Sequence, residues 1–187
     1  MAAYVSDLDL IHASQGGNQS AYGELVYRYR EAVVAVVYRM CGDLSTAEEA
    51  AQEAFLRAWQ HLGGYRPEYP FRSWVFRIAV NAALDALRRE KPQADLEEVE
   101  TSLSLAHHGG PDPETVVVAR QRSDLIRKAV LALPPPYRAA LVLREFGGLS
   151  YAEIAAALEI PLGTVMSRLN TARSQLGQAL AGVMEAL

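Results

Sequence analysis

The chain has 187 residues and is 50% hydrophobic, with 22 acidic against 18 basic side chains and a net charge of −4. That length allows one domain with a substantial core or two small ones, and the single cysteine, Cys41, excludes an internal disulfide framework. No apolar run approaches the ~20 residues that cross a bilayer and no basic-then-apolar leader is present, so a cytoplasmic protein without membrane insertion is expected.

Apolar side chains recur at steps of three and four at Tyr22, Leu25, Val26, Tyr29, Val33, Val36, Val37 and Met40, which predicts a helix that Gly42 ends. Ser45 and Glu48 have capping-box spacing. They are read as opening a second helix, with an inner stripe of Ala47, Ala50, Ala51, Ala54, Phe55, Ala58, Trp59 and Leu62. The small residues in that stripe favour close packing. The outer face carries Glu48, Glu49, Gln52, Glu53 and one apolar residue, Leu56. It is either a solvated face with a stray leucine or a docking surface, with Leu56 as anchor and carboxylates meeting a basic partner.

The loop GGYRPEYP at 63–70 leads into a third helix with Trp74, Val75, Ile78, Ala79 and Ala82 inward. Arg77, Asn81, Asp85 and Arg88 lie along its outer face, after the aromatics Tyr65, Tyr69 and Phe71. Basic and amide groups beside rings suit a single nucleic-acid strand, because bases stack on the rings and phosphates meet arginine. A packed loop plug is the alternative, and it is preferred for Phe71 and Trp74.

Between 91 and 113 the periodicity fails, and proline, a glycine pair, a histidine pair (His107 and His108) and acidic residues take over. So long a structureless stretch argues for a tether between two domains. Asp112 and Pro113 are read as the cap and first turn of the next helix, which runs through Val117, Leu125, Ile126 and Val130 to Leu133. Pro134 to Pro136 then stop it or begin another over 137–146. The stretch LSYAEIAAALEIPLGTVMSRLNTARSQL at 149–176 follows as two short helices around a turn near 159–163. Ser150 and Glu153 form a capping box, Ile154, Ala155 and Leu158 an inner stripe, and Pro161 a helix start. The second of the two turns Val165, Leu169, Ala172 and Leu176 inward and leaves Met166, Ser167, Asn170, Thr171 and Ser174 outside. That is a helix-turn-helix suited to a major groove, although an ordinary helical hairpin has the same periodicity.

Charge separates these alternatives in part. Residues 1–90 balance at −2, 91–118 at −5 and 119–187 at +3, so the segment with the helix-turn-helix is basic and an acidic middle stretch hides it. The sequence holds no phosphate-cradling glycine loop, no paired-histidine zinc helix and no nucleophile elbow, so neither a catalytic residue nor a metal or cofactor is expected. The expected fold is all-α: two small helical domains, 1–90 and 114–187, joined by a flexible acidic linker at 91–113, the second containing the helix-turn-helix.

The segments STAEEAAQEAFLRAW, FRSWVFRIAVNAALDALRR, LPPPYRAALVLREFGGLSYAEIAAAL and PLGTVMSRLNTAR, in this order, resemble bacterial RNA polymerase sigma factors of the extracytoplasmic-function type. The resemblance implies a transcription initiation factor that has no catalysis of its own, that binds core RNA polymerase and promoter DNA, and that in many relatives is held by an anti-sigma factor. It places Glu49, Gln52, Glu53 and Leu56 against the polymerase clamp. It places Tyr65, Ile78 and Asn81 around a base flipped from the −10 element, with His61 where relatives often carry a small residue, and it assigns the N-terminal domain to −10 melting, which brings Arg77 and Arg88 to the DNA.

In the recognition helix Thr164, Ser167, Arg168 and Arg173 match the family pattern for −35 reading. Met166 and Thr171 stand where basic residues are common, and Asn170 could pair with adenine. A −35 sequence unlike the purine-rich element of many relatives is expected. The resemblance also suggests that Asp95, Glu97, Glu98 and Glu100 imitate a nucleic-acid backbone inside a basic polymerase channel, though a plain tether remains open. A stand-alone helix-turn-helix regulator would need neither the docking face nor the single-strand loop. A DNA-processing enzyme would need a metal-binding acidic cluster in a cleft.

Overall fold

The computed structural model describes residues 5–89 and 113–184, and within them the chain is helical with short connections. The acidic segment, with Asp95, Glu97, Glu98, Glu100, His107, His108 and the cap residue Asp112, lies outside the described residues.

Helix α1 (Asp7–Gln15) is additional to the helices expected from periodicity. Ser6 caps it and Asp9 accepts back from the Ser6 backbone, a capping box that uses aspartate where glutamate is usual. Helix α2 (Gln19–Cys41) buries the expected stripe, with Leu25, Val33, Val36, Val37 and Met40 fully enclosed. It ends as expected at Gly42, which is left-handed at φ 85° and donates to the Tyr38 carbonyl. A Cβ there would also lie 2.7 Å from Leu131 Cδ1, across the molecule, a contact the leucine side chain can relieve by shifting.

Helix α3 (Leu44–His61) corrects one expectation. Its N-cap is Asp43, whose Oδ1 accepts from the Thr46 N–H at 2.7 Å, so Ser45 and Glu48 fall within the first turns and do not form the box. The left-handed Gly42 turns the chain so early that the first available side-chain acceptor is Asp43. The alanine-rich stripe of α3 is buried against α2 and α4, as its small residues predict. A 3-10 turn (Leu62–Gly64) and the loop to Pro70 then lead into α4 (Phe71–Arg89).

Helix α4 buries Val75, Ala79 and Ala82 as expected, while Trp74 and Ile78 are only half-buried. Phe76 and Val80 are also fully enclosed, although they lie off the expected stripe. The reason is that α4 packs on α2 and α3 along one side and on helices of the C-terminal half along another.

That half consists of α5 (Pro113–Ala132), α6 (Pro135–Glu145), α7 (Tyr151–Leu158) and α8 (Leu162–Met184). In α5, Val130 is buried, as is Leu133 just past its end, but Ile126 is 43% exposed. The prolines serve both possible roles. The chain leaves α5 before Pro134, and Pro135 and Pro136 occupy the first turn of α6, where a missing N–H leaves no bond unmade. The Ser150–Glu153 capping box opens α7 as expected. Desolvation raises the Glu153 carboxyl pKa, but hydrogen bonds from Ser73 and Ser150 outweigh it and the net pKa is lowered. The stability this carboxylate contributes is therefore present above the ordinary glutamate pKa and lost as pH falls through the lower folded value.

One buried cation joins the halves. Arg138 of α6 is 8% exposed, and its guanidinium donates to the carbonyls of Met40 at the end of α2 and of Leu131 and Leu133 around the end of α5. Helix C-terminal carbonyls carry partial negative charge, so one guanidinium satisfies the orphan acceptors of two helices. Burial nonetheless lowers its pKa from the usual guanidinium value. Nearby, Arg39 lies over the Phe146 ring at 4.0 Å, and Arg127 donates to the Tyr38 hydroxyl at 3.3 Å.

Candidate nucleic-acid interface

On α8 the two faces separate as expected. Val165, Leu169 and Ala172 are buried against α6 and α7, while Met166, Ser167 and Asn170 are exposed and Thr171 is half-buried. Thr164 and Arg168 are also half-buried. The Ser167 hydroxyl donates to the Thr164 carbonyl at 3.0 Å, which leaves its lone pairs open to a donor. Arg173 is exposed but donates to Glu145 of α6 at 2.8 Å, and its hydrogen bonds to Glu145 and Tyr151 raise its pKa.

Segment charge overstated how basic this face is. Of the cations that give residues 119–187 their surplus, Arg138 is buried at the joint, Arg144 donates to the Leu149 carbonyl and Arg127 sits beside Asp124. Arg168 and Arg173 are the arginines that α8 itself contributes. Beside them the exposed side of α8 carries amide, hydroxyl and thioether groups, with Met166 49% exposed.

The acidic face of α3 proves to be one wall of a groove. Glu49, Gln52 and Leu56 are exposed, and Glu53 is half-buried and bonded to Arg57 at 2.8 Å. An open apolar groove of about 330 Å³ runs between α2 and α3, lined by Gln19, Tyr22, Val26, Gln52, Phe55, Leu56 and Trp59. A second groove of about 420 Å³ shares Val26, Gln52 and Phe55 with it and reaches Arg30, Glu48 and Glu49. The contribution of α2, through Tyr22, Val26 and Arg30, was missed in the sequence. Val26 belongs to the predicted inner stripe but is only half-buried, and that signal exists only once the helices are placed.

The third surface departs most from expectation. Tyr65 is 5% exposed, with its hydroxyl donating to the Tyr69 carbonyl at 2.8 Å and its ring edge-on to Trp74 and Phe71. The loop-plug arrangement preferred for Phe71 and Trp74 thus extends to Tyr65, and Tyr69 is the loop aromatic turned outward, at 39% exposure. Burial raises the Tyr65 phenol pKa. His61 and Asn81 are exposed, Ile78 is half-buried, and Arg88 is exposed beside Asp85 at 3.1 Å. Arg77 pairs with Glu159, which lies in the turn between α7 and α8. Asn81 and Ile78 share one side of α4 with Trp74 at helical spacing, so the structure brings these three together while Tyr65 faces inward.

The sequence matches two known domain families in the order of these surfaces. Residues 25–93 match Sigma-70 region 2, and residues 123–176 match Sigma-70 region 4. RNA polymerase sigma-H factor of Pseudomonas aeruginosa is 34% identical over 186 residues, covering 96% of each chain. The chain belongs to the ECF RNA polymerase sigma factors. SigW of Bacillus subtilis, also an ECF sigma factor, is 35% identical over 88% of this chain and 91% of its own. Among solved structures, CnrH in complex with the cytosolic domain of CnrY covers 94% of this sigma factor and 97% of its own chain, with a TM-score of 0.71 and 26% identity.

Sigma factors direct RNA polymerase to promoters. The region 2 match contains all of the α2–α3 groove except Gln19 and Tyr22, together with the exposed side of α4, and the region 4 match contains the helix-turn-helix. Among the described residues of this sigma factor no group of three or more His, Cys, Asp or Glu is placed to hold a metal, and no helix is long and apolar enough to cross a membrane.

Proposed function

We propose that this sigma factor divides its work between two domains, 1–90 and 114–187, bridged by the acidic linker. In this reading the α2–α3 groove docks core RNA polymerase through Glu49, Gln52, Glu53 and Leu56. The outer side of α4, with His61, Arg77, Ile78, Asn81 and Arg88, engages the melted −10 strand. The exposed side of α8, with Thr164, Met166, Ser167, Arg168, Asn170, Thr171 and Arg173, reads the −35 duplex. The chain acts as a specificity subunit in the cytoplasm with no catalysis of its own, and an anti-sigma factor is a further partner.

The observation that carries this reading is a single one: an apolar groove bordered by an acidic helix face, an arginine and amide helix face beside a loop of aromatics, and a capped helix-turn-helix occur in one chain in the order of regions 2 and 4. Tyr65 enters only through movement of the loop, because in its enclosed position the ring has no face open to a base. The test is co-purification with core polymerase followed by transcription from a library with randomised −10 and −35 elements. Binding to core and a −35 preference unlike the purine-rich element support the reading, and failure to bind core overturns it.

A more local test concerns the −10 face. Asn81→Ala removes an exposed amide, so folding is expected to be unchanged while promoter opening falls by about 5- to 50-fold, the scale of one or two lost hydrogen bonds to a base. Permanganate footprinting reads the opening and gel shift reads initial binding. Equal opening by variant and wild type removes Asn81 from the proposed site.

A further inference from the structure

We infer that Leu162 and Met166 form an apolar step at the start of α8 that reads the C5 methyl group of thymine in the major groove of the −35 duplex, so that thymine is the base selected opposite the first turn of this helix. That role presupposes the assignment of α8 to the −35 element made above and narrows it to one chemical group on one base.

Among the described residues of the C-terminal half, Ile126, Phe146, Leu162 and Met166 are large apolar side chains left exposed. Phe146 is covered on one face by the Arg39 guanidinium at 4.0 Å, and Ile126 lies on α5. Leu162 and Met166 differ from both. They stand one turn apart on the same side of α8, 45% and 49% exposed. The fold draws on their neighbours instead: Ile160 packs against the core, and Val165 and Leu169 are buried in it. Helical side chains lean toward the N-terminus, which lays Met166 over the turn that holds Leu162 and Gly163. Gly163 itself is not left-handed, and a Cβ there would meet nothing within 4 Å, so the fold does not call for glycine at this position. Bare backbone on the outside of a helix suits the close approach of another molecule.

Position decides what this step can touch. The N-terminal residues of the second helix of a helix-turn-helix meet base edges in the major groove. There the thymine methyl is the apolar group, while guanine, adenine and the cytosine amino group present donors and acceptors. Covering the methyl with a leucine and a thioether removes apolar area from water on both sides. Covering guanine O6 and N7 or the cytosine amino group with the same side chains would leave those atoms desolvated and unpaired. The step therefore favours thymine and disfavours its competitors at once. Asn170 continues the same row and is exposed, and its amide suits adenine N6 and N7. At a rise of about 1.5 Å per residue, Met166 and Asn170 are about 6 Å apart along the helix, roughly two base steps of about 3.4 Å. Thymine and adenine are thus expected within about two steps of each other. A protein partner is the poorer occupant, because two side chains bordered by Ser167, Arg168 and Asn170 fall far short of a stable protein interface.

The test uses holoenzyme, the full chain bound to core polymerase. Selection from duplexes with a randomised −35 element is expected to return thymine at one or two fixed positions. Promoters carrying 2′-deoxyuridine at each selected thymine then lose the methyl and keep every hydrogen-bonding group. Competition binding should be about three- to five-fold weaker for uracil at those positions, the scale of one buried methyl group. In the double variant Leu162→Ala with Met166→Ala, thymine and uracil promoters should bind within about 1.5-fold of each other, which isolates the side chain–methyl coupling from any effect of the methyl on the DNA alone. Met166→Leu keeps an apolar side chain and should keep the discrimination. Melting curves are expected to be unchanged for all three substitutions, because both positions are exposed.

A selection that returns no thymine overturns the inference. So does equal binding of uracil at every selected thymine, or a uracil penalty that persists undiminished in the double variant. Holoenzyme that assembles yet ignores the whole −35 element overturns the −35 assignment itself, whereas holoenzyme that discriminates among −35 elements but is indifferent to the methyl overturns the thymine reading alone.

Discussion

Arg138→Ala is expected to destabilise the protein by about 2–4 kcal/mol, because it strips donors from several buried carbonyls at once and leaves a void between α2, α5 and α6. Any one of those bonds would contribute far less. The guanidinium satisfies Met40 at the end of one helix and Leu131 and Leu133 around the end of another, and the removed side chain is 8% exposed, so water reaches the orphaned acceptors only by opening the joint. Arg138→Lys keeps the charge but loses the planar fork, so it cannot span both helix ends and should fall between wild type and alanine. Urea denaturation followed by circular dichroism reads the difference. A loss below about 0.5 kcal/mol for Arg138→Ala would show that the carbonyls find other partners.

Leu56→Asp is expected to weaken binding to core RNA polymerase by about 30-fold or more, with thermal stability unchanged. Leu56 is 56% exposed on the isolated chain, so folding draws little on it, yet it forms part of the rim of the largely apolar groove between α2 and α3. An apolar anchor that becomes fully desolvated in an interface commonly carries 2 kcal/mol or more, about 30-fold in affinity. Reversing the neighbouring carboxylate, Glu53→Lys, should weaken binding less and mainly slow association, because Glu53 already spends part of its charge on Arg57 at 2.8 Å. Competition against labelled wild type for core polymerase, with melting curves in parallel, separates binding from stability. An affinity within two-fold of wild type for Leu56→Asp would place the polymerase contact elsewhere.

Much of the fold was legible because helices announce themselves locally. The stripes of α2, α3 and α8, the box at Ser150 and the stop at Gly42 depend on spacing and capping within a few residues, and each lies where periodicity put it. The misreadings are local competitions decided by one neighbour. Asp43 pre-empts Ser45 as the cap of α3, and α1 rests on a Ser6–Asp9 box in a segment too short to show a periodic stripe. The site was legible as a list of residues and much less so as a surface. Helical spacing identified the exposed sides of α3, α4 and α8, but Tyr65 belongs to a loop, where no periodicity says which way a ring points, and it turned inward to pack on Trp74.

The sequence by itself determined the all-helical class, the family and which sides of α3 and α8 stay exposed, because these follow from local periodicity and motif order. Tertiary structure alone decided which charges are available. Arg138, counted among the cations of the basic segment, is enclosed at a joint, and Arg77 is held by a carboxylate 82 positions away in the chain. It also decided that α4 has two buried sides, so that Phe76 and Val80 serve a contact no single-helix pattern predicts. The physical reason is the same in each case: burial and ion pairing are set by neighbours distant in sequence, and a helix's own spacing records which residues share a face but not what will cover it.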